Sequence, residues 1–172
     1  MRAESSLPLL PVYLKLRMQP PWVFIDEIRR FVESFCACAC PGYGREGQLA
    51  LAVHELMQNA LPTGQGDDVE LYLEVDRGAD RVQVAVSNRC SEADHRALAG
   101  RIEHMYGEPD ALAHYLQAMH DTPTSERGGL GLARVRFECQ LDISISRLEG
   151  RVTVHASGPL QVPAILPRGS RP

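Results

Sequence analysis

The order of elements in this chain predicts an α+β fold: a two-layer α/β sandwich whose mixed, mostly antiparallel sheet carries helices on one face. Three observations lead to it. Alternating runs and helix-periodic runs follow one another as β-α-α-β-β-(α-α)-α-β-β. That order lacks the regular strand–helix alternation of a doubly wound parallel sheet, so a Rossmann or P-loop arrangement is not expected. The length of 172 residues suits one domain with one sizeable core. It is placed over residues 1–160, and the proline-rich, anchor-poor residues 161–172 read as a flexible C-terminal tail.

Val12, Leu14, Leu16 and Met18 alternate with Tyr13, Lys15 and Arg17, the period of a half-buried strand, which Pro20 and Pro21 end. Residues 22–38 follow as a helix, with Phe24, Ile25, Ile28, Phe31, Val32 and Phe35 at helical spacing. Pro41-Gly42-Tyr43-Gly44 is a turn. A second helix over residues 45–61 carries Leu49, Leu51, Ala52, Leu56 and Ala60, and Pro62, Gly64 and Gly66 terminate it. Strands over 69–75 and 82–86 form a hairpin. Ser91, with Asp94 three residues on, caps a helix striped by Leu98, Ile102 and Met105. Gly107 breaks it, and Pro109 opens the next, which carries Leu112, Tyr115, Leu116 and Met119. Residues 120–127 read as a polar, mobile loop in which Thr124 and Ser125 are ordinary loop residues. A helix from Gly129 to about Cys139 and a hairpin of 141–146 with 152–156 complete the chain.

Charged residues at 23% and hydrophobic ones at 44% place the chain in the globular class. A net charge of −4 gives no general attraction to nucleic acid or to an anionic membrane. No apolar run is long enough to span a bilayer, and residues 1–11 lack the apolar region of a signal peptide, so a cytoplasmic protein is expected. The cysteines are odd in number, and Cys36, Cys38 and Cys40 are spaced unlike a zinc knuckle. They read as small, buried, reduced thiols closing a helix.

Two segments carry chemistry. Glu55 and Asn59 stand four apart, which puts a carboxylate and a carboxamide on one helix face. A carboxamide oxygen there suits a magnesium ion that keeps most of its waters, and the carboxylate suits a general base. An exposed pair with no ligand is the competing reading. His54, its neighbour, points elsewhere and reads as structural. The second segment, Gly128-Gly129-Leu130-Gly131-Leu132, is a glycine-rich turn opening a helix, where free amides form an anion site. Gly131 inside the first turn costs about 1 kcal/mol relative to Ala. Close approach of a triphosphate explains it, and tight helix–sheet packing competes.

These segments resemble the N box (E-x-x-x-N-A) and the second glycine box (G-x-G-L-G-L) of the GHKL, or Bergerat, nucleotide-binding superfamily. Glu55, Asn59 and Ala60 match the first; Gly129 to Leu132 match the second, with Arg127 at its first glycine. The strand–strand–lid–helix–strand–strand order after the N box also matches, over most of residues 10–158. The short format is similar to the anti-sigma serine kinases. The N box, Ser87-Asn88 and the inserted helical pair before Gly-Leu-Gly-Leu resemble the SiaB-type protein kinases.

The resemblance implies a Mg-ATP-dependent serine/threonine protein kinase of a bacterial partner-switching system. It would phosphorylate a small STAS-like or SiaC-like regulatory protein, with a homodimer as one possible assembly. Glu55 would be the base and Asn59 the magnesium ligand, while Arg127, Gly128, Gly129, Leu130, Gly131 and Leu132 would face the phosphates. The family's Asp-x-Gly-x-Gly loop is absent. Asn88 stands where its aspartate would accept from adenine, and no glycine follows until Gly100. Either Asn88 reads the base, or the site is degenerate and the chain is a binding module that sequesters its partner. An ATPase, or part of a larger machine, is the last-ranked expectation, because the sequence shows no transducer domain to use the hydrolysis.

Overall fold

The computed structural model describes residues 10–19, 24–60, 68–121 and 129–162. Within them the order is β1 (Val12–Met18), α1 (Ile25–Ala39), α2 (Glu46–Ala60), β2 (Val69–Asp76), β3 (Arg81–Arg89), α3 (Glu92–Gly107), α4 (Ala111–Asp121), α5 (Leu130–Phe137), β4 (Asp142–Leu148) and β5 (Arg151–Pro159). The strands form one sheet in the order β1-β2-β3-β5-β4. Every neighbouring pair is antiparallel, which corrects the mixed sheet expected from sequence. The reason lies in the connections. Two helices between β1 and β2 return the chain to the end it left, so the next strand runs back. Three helices between β3 and β4 leave those strands parallel, but β5 hairpins back and inserts between them. The hairpin turns on Glu149 and Gly150, both at positive φ (50° and 78°).

One face of the sheet is apolar and the other polar. Val69, Leu71, Leu73 and Val75, Val82, Val84 and Val86, and Val152, Val154 and Ala156 are buried toward the helices. The opposite face carries ion pairs of Lys15 with Glu70 (3.7 Å) and of Arg151 with Asp68 (3.3 Å), together with Arg17–Asp68. The Arg17 hydrogen bond, ahead of Arg151, holds the Asp68 carboxyl below its ordinary value.

Helix α2 touches the sheet, α1 and α5. Leu49 to Val53, Leu56 and Met57 are therefore all buried, and the helix is apolar nearly all round. Gly42 and Gly44, at φ 83° and 65°, make the turn that brings α1 back against it. Of the three clustered cysteines, Cys36 and Cys40 are buried as expected, but Cys38 is exposed. Burial pushes the thiols of Cys36 and of Cys139 up to about 12, which leaves them unreactive. Among the described residues no helix is long and apolar enough to cross a membrane.

Ser91 caps α3 as its spacing predicts, accepting from the Asp94 amide at 3.1 Å. Pro109 does not open α4. Asp110 does, its Oδ1 accepting from the amides of Leu112 (2.9 Å) and Ala113 (3.3 Å). Helix α4 also runs on through His120 and Asp121, two positions read from sequence as loop.

Candidate functional site

The two segments singled out from sequence meet. Glu55 and Asn59 face the first turn of α5, and Gly131 is the point of contact. A Cβ built on Gly131 would lie 2.7 Å from Glu55 Oε2 and 3.6 Å from Asn59 Nδ2. The missing side chain thus lets one helix approach another, a third explanation beside the two weighed from sequence. Gly129, which caps α5, differs: it is exposed, and a Cβ there would meet nothing within 4 Å. Its φ of −105° also makes no demand for glycine. Leu130 is half-buried and Leu132 buried under the helix, while Arg127 and Gly128 lie outside the described residues.

Glu55 is buried, its side chain 9% exposed, and does not stand alone. Arg134 Nη1 of α5 donates to its Oε1 at 2.5 Å. Arg134 Nε donates to Glu138 Oε1 at 3.1 Å, which also accepts from the Tyr115 hydroxyl of α4 at 2.7 Å. A polar relay therefore runs from α4 through α5 to Glu55. Burial works against the Arg134 charge, but the Glu138 hydrogen bond and the Glu55 charge outweigh it and push its pKa up. Burial likewise opposes the Glu138 charge, and the donors Tyr115 and Arg134 bring its carboxyl below the ordinary 4.5. With Oε1 on Arg134 and Oε2 against Gly131, Glu55 is held in a closed contact.

Asn59 Nδ2 donates to the Glu55 carbonyl at 3.0 Å, so its oxygen is the atom left to meet a ligand. Asn88 is buried, and its Nδ2 donates to the carbonyls of Ala60 (3.0 Å) and Arg89 (3.2 Å). It ties the end of β3 to the end of α2. Asn59 and Asn88 share a cavity with Asp94, Leu98 and Arg101 of α3, and its volume is only about 20 Å³. That is room for a water, whereas ligand pockets run to several hundred cubic ångströms. A larger cleft of about 310 Å³ lies alongside, between α3, α4 and the start of α5, lined by Arg101, His104, His114 and Gly129 among others. His54 points away, its Nε2 3.4 Å from Asp26 of α1.

Arg136 fastens α3 to α5. Its guanidinium donates to the carbonyls of Met105 (2.5 Å), Glu108 (2.9 Å) and Pro109 (3.2 Å) at the carboxyl end of α3. It also stacks 4.8 Å over the Tyr106 ring, whose hydroxyl accepts from the Ile143 amide of β4 at 2.6 Å. Sequence reading missed Arg101, Arg134, Arg136, Tyr115 and Glu138. The i, i+4 spacing of Arg134 and Glu138 is a visible signal, but Glu55 and Arg134 are 79 positions apart and only the fold joins them.

No protein-family model matches the chain, and no curated protein does. Among solved structures, the chain is similar to a chain of the SiaB–SiaC complex from Pseudomonas aeruginosa. The TM-score is 0.61 at 15% sequence identity, over 84% of this chain and 88% of that one. At that identity the likeness is one of fold.

Proposed function

We propose that this chain is a Mg-ATP-dependent serine/threonine protein kinase of the GHKL type in a bacterial partner-switching system. Its substrate would be a small STAS-like or SiaC-like partner. The observation that carries the reading is the meeting of Glu55 and Asn59 with the glycine-opened start of α5. A fold shared with a chain of the SiaB–SiaC complex agrees with it. The donor set fits the phosphate end of the ligand: a carboxamide oxygen for magnesium, and the open amides around Gly129 for an anion. The purine end would require α3 to move outward, because the cavity at Asn88 is too small as it stands.

Bound Mg-ATP would supply the phosphoryl group and the neutralising metal charge. The chain's own residues do the rest. The Asn59 carboxamide oxygen would be the magnesium ligand on α2. Glu55 takes the proton of the partner's hydroxyl, which requires Arg134 to release Oε1. Docking falls to α4, whose outer face shows Leu112, Leu116 and Met119 at 43%, 51% and 47% exposure. Its inner face carries the Tyr115 relay, so a partner seated there is connected to the base.

Incubation of the chain with labelled Mg-ATP and a purified SiaC-like or STAS-like protein tests this. Transfer to a hydroxyl side chain is expected. Glu55→Gln should lower its rate by roughly 100-fold or more while nucleotide still binds. Undiminished transfer by that variant would remove Glu55 from the mechanism. A second reading, a binding module with a vestigial site, is favoured by the closed Glu55–Arg134 contact and the small cavity. Calorimetry separates the two, because a vestigial site gives no heat at millimolar nucleotide.

A further inference from the structure

Helix α3 is more than a cover over the site. Arg101 lines both cavities at once, the small one beside Asn59 and Asn88 and the larger one beside Gly129. Among the described residues it has no hydrogen-bond or ion-pair partner. The arginines around it are committed elsewhere: Arg134 to Glu55 and Glu138, Arg136 to backbone carbonyls, Arg96 and Arg147 to Glu92. A cation unpaired among the described residues, at the junction of two cavities and beside a helix amino end, is placed for a phosphate. The planar guanidinium suits it by presenting paired donors to two oxygens.

The opposite charge stands on the same helix. Asp94 lines the small cavity seven residues before Arg101, and its Oδ2 accepts from the Ser91 hydroxyl at 2.6 Å. Seven residues of helix span roughly 10 Å. Asp94 lines the small cavity only, whereas Arg101 lines both, so the two cavities differ in charge. Anionic groups are disfavoured near Asp94 and favoured near Arg101, where Gly129 also lies.

We infer that Arg101 is a binding residue for the phosphate chain of a nucleoside triphosphate, and that α3 thereby sets the orientation of the ligand. The inference rests on the nucleotide reading above and adds a residue outside both sequence segments. It also divides the inserted helical pair, α3 serving the nucleotide and α4 the partner.

Calorimetric titration of the full chain with Mg-ATP and, separately, with adenosine tests it. Arg101→Ala should weaken Mg-ATP binding by about 10- to 100-fold and change adenosine binding less than about twofold. Arg101→Lys should recover part of the loss, since it restores charge without the fork. Circular dichroism melts of the variants should match the parent, because Arg101 is exposed. An unchanged ratio of ATP to adenosine affinity in Arg101→Ala would overturn the inference while leaving the nucleotide reading intact. A parent chain that binds neither ligand would overturn both.

Discussion

A methyl group on Gly131 would sit 2.7 Å from Glu55 Oε2, whereas one on Gly129 would touch nothing within 4 Å. The Glu55 carboxylate cannot swing aside freely, because it is buried and bonded to Arg134. Gly131→Ala should therefore destabilise the chain by about 1–3 kcal/mol, the usual cost of overpacking. Gly129→Ala should stay within about 0.5 kcal/mol of the parent, yet weaken Mg-ATP binding by crowding the open amides. Urea titrations of the two variants check the first pair of outcomes. Equal midpoints for parent and Gly131→Ala would mean that the helices separate without cost. The cost of a glycine at position 131 was visible in the sequence; what it makes room for was not, since Glu55 lies on another helix.

At the scale of elements, α3 is held by its ends. The Ser91 side chain accepts at its start, and Arg136 gathers carbonyls at its finish. Arg136→Ala should leave those carbonyls to water and raise amide exchange in the last turns of α3, with exchange in β2 and β3 unchanged. Uniform loss of protection across the sheet would contradict a local clamp. The element types followed from periodicity, and their limits failed where a polar or special residue took a core position. Strand β3 runs to Arg89 rather than 86 because buried Asn88 breaks the alternation yet makes its own hydrogen bonds. Strand β5 runs to Pro159 through Gly158, two residues that sequence rules read as an end.

Across the whole molecule, the helical layer is joined by groups that titrate. His114 lies below its ordinary 6.5, first through burial and then through the charges of Arg136 and His104, with Glu108 opposing. The unfolded chain therefore binds a proton at that histidine before the folded one, and stability falls as pH drops below 6.5. Glu138, held below 4.5, contributes stability that is complete above that value and lost as pH falls through its lower folded value. Thermal melts from about pH 8 to about pH 2 should show both steps. His114→Gln should flatten the upper step and Glu138→Gln the lower one. A midpoint that ignores pH until carboxylates titrate would remove His114 from the account. The fold class was legible because hydrophobic period and element order constrain it. The antiparallel order of the sheet and the α4–α5–α2 relay were not, because both depend on which elements become neighbours.

The size of the cavity beside Asn88 bears on the binding equilibrium. If a purine enters only when α3 stands open, the measured affinity is the intrinsic one scaled by the fraction of molecules open. Each tenfold rarity of that form then subtracts about 1.4 kcal/mol from binding. Ser91 and Arg136, which touch no ligand, become settings of the nucleotide concentration at which the protein responds. Selection could retune that threshold from either end of one helix and leave Glu55 and Asn59 untouched.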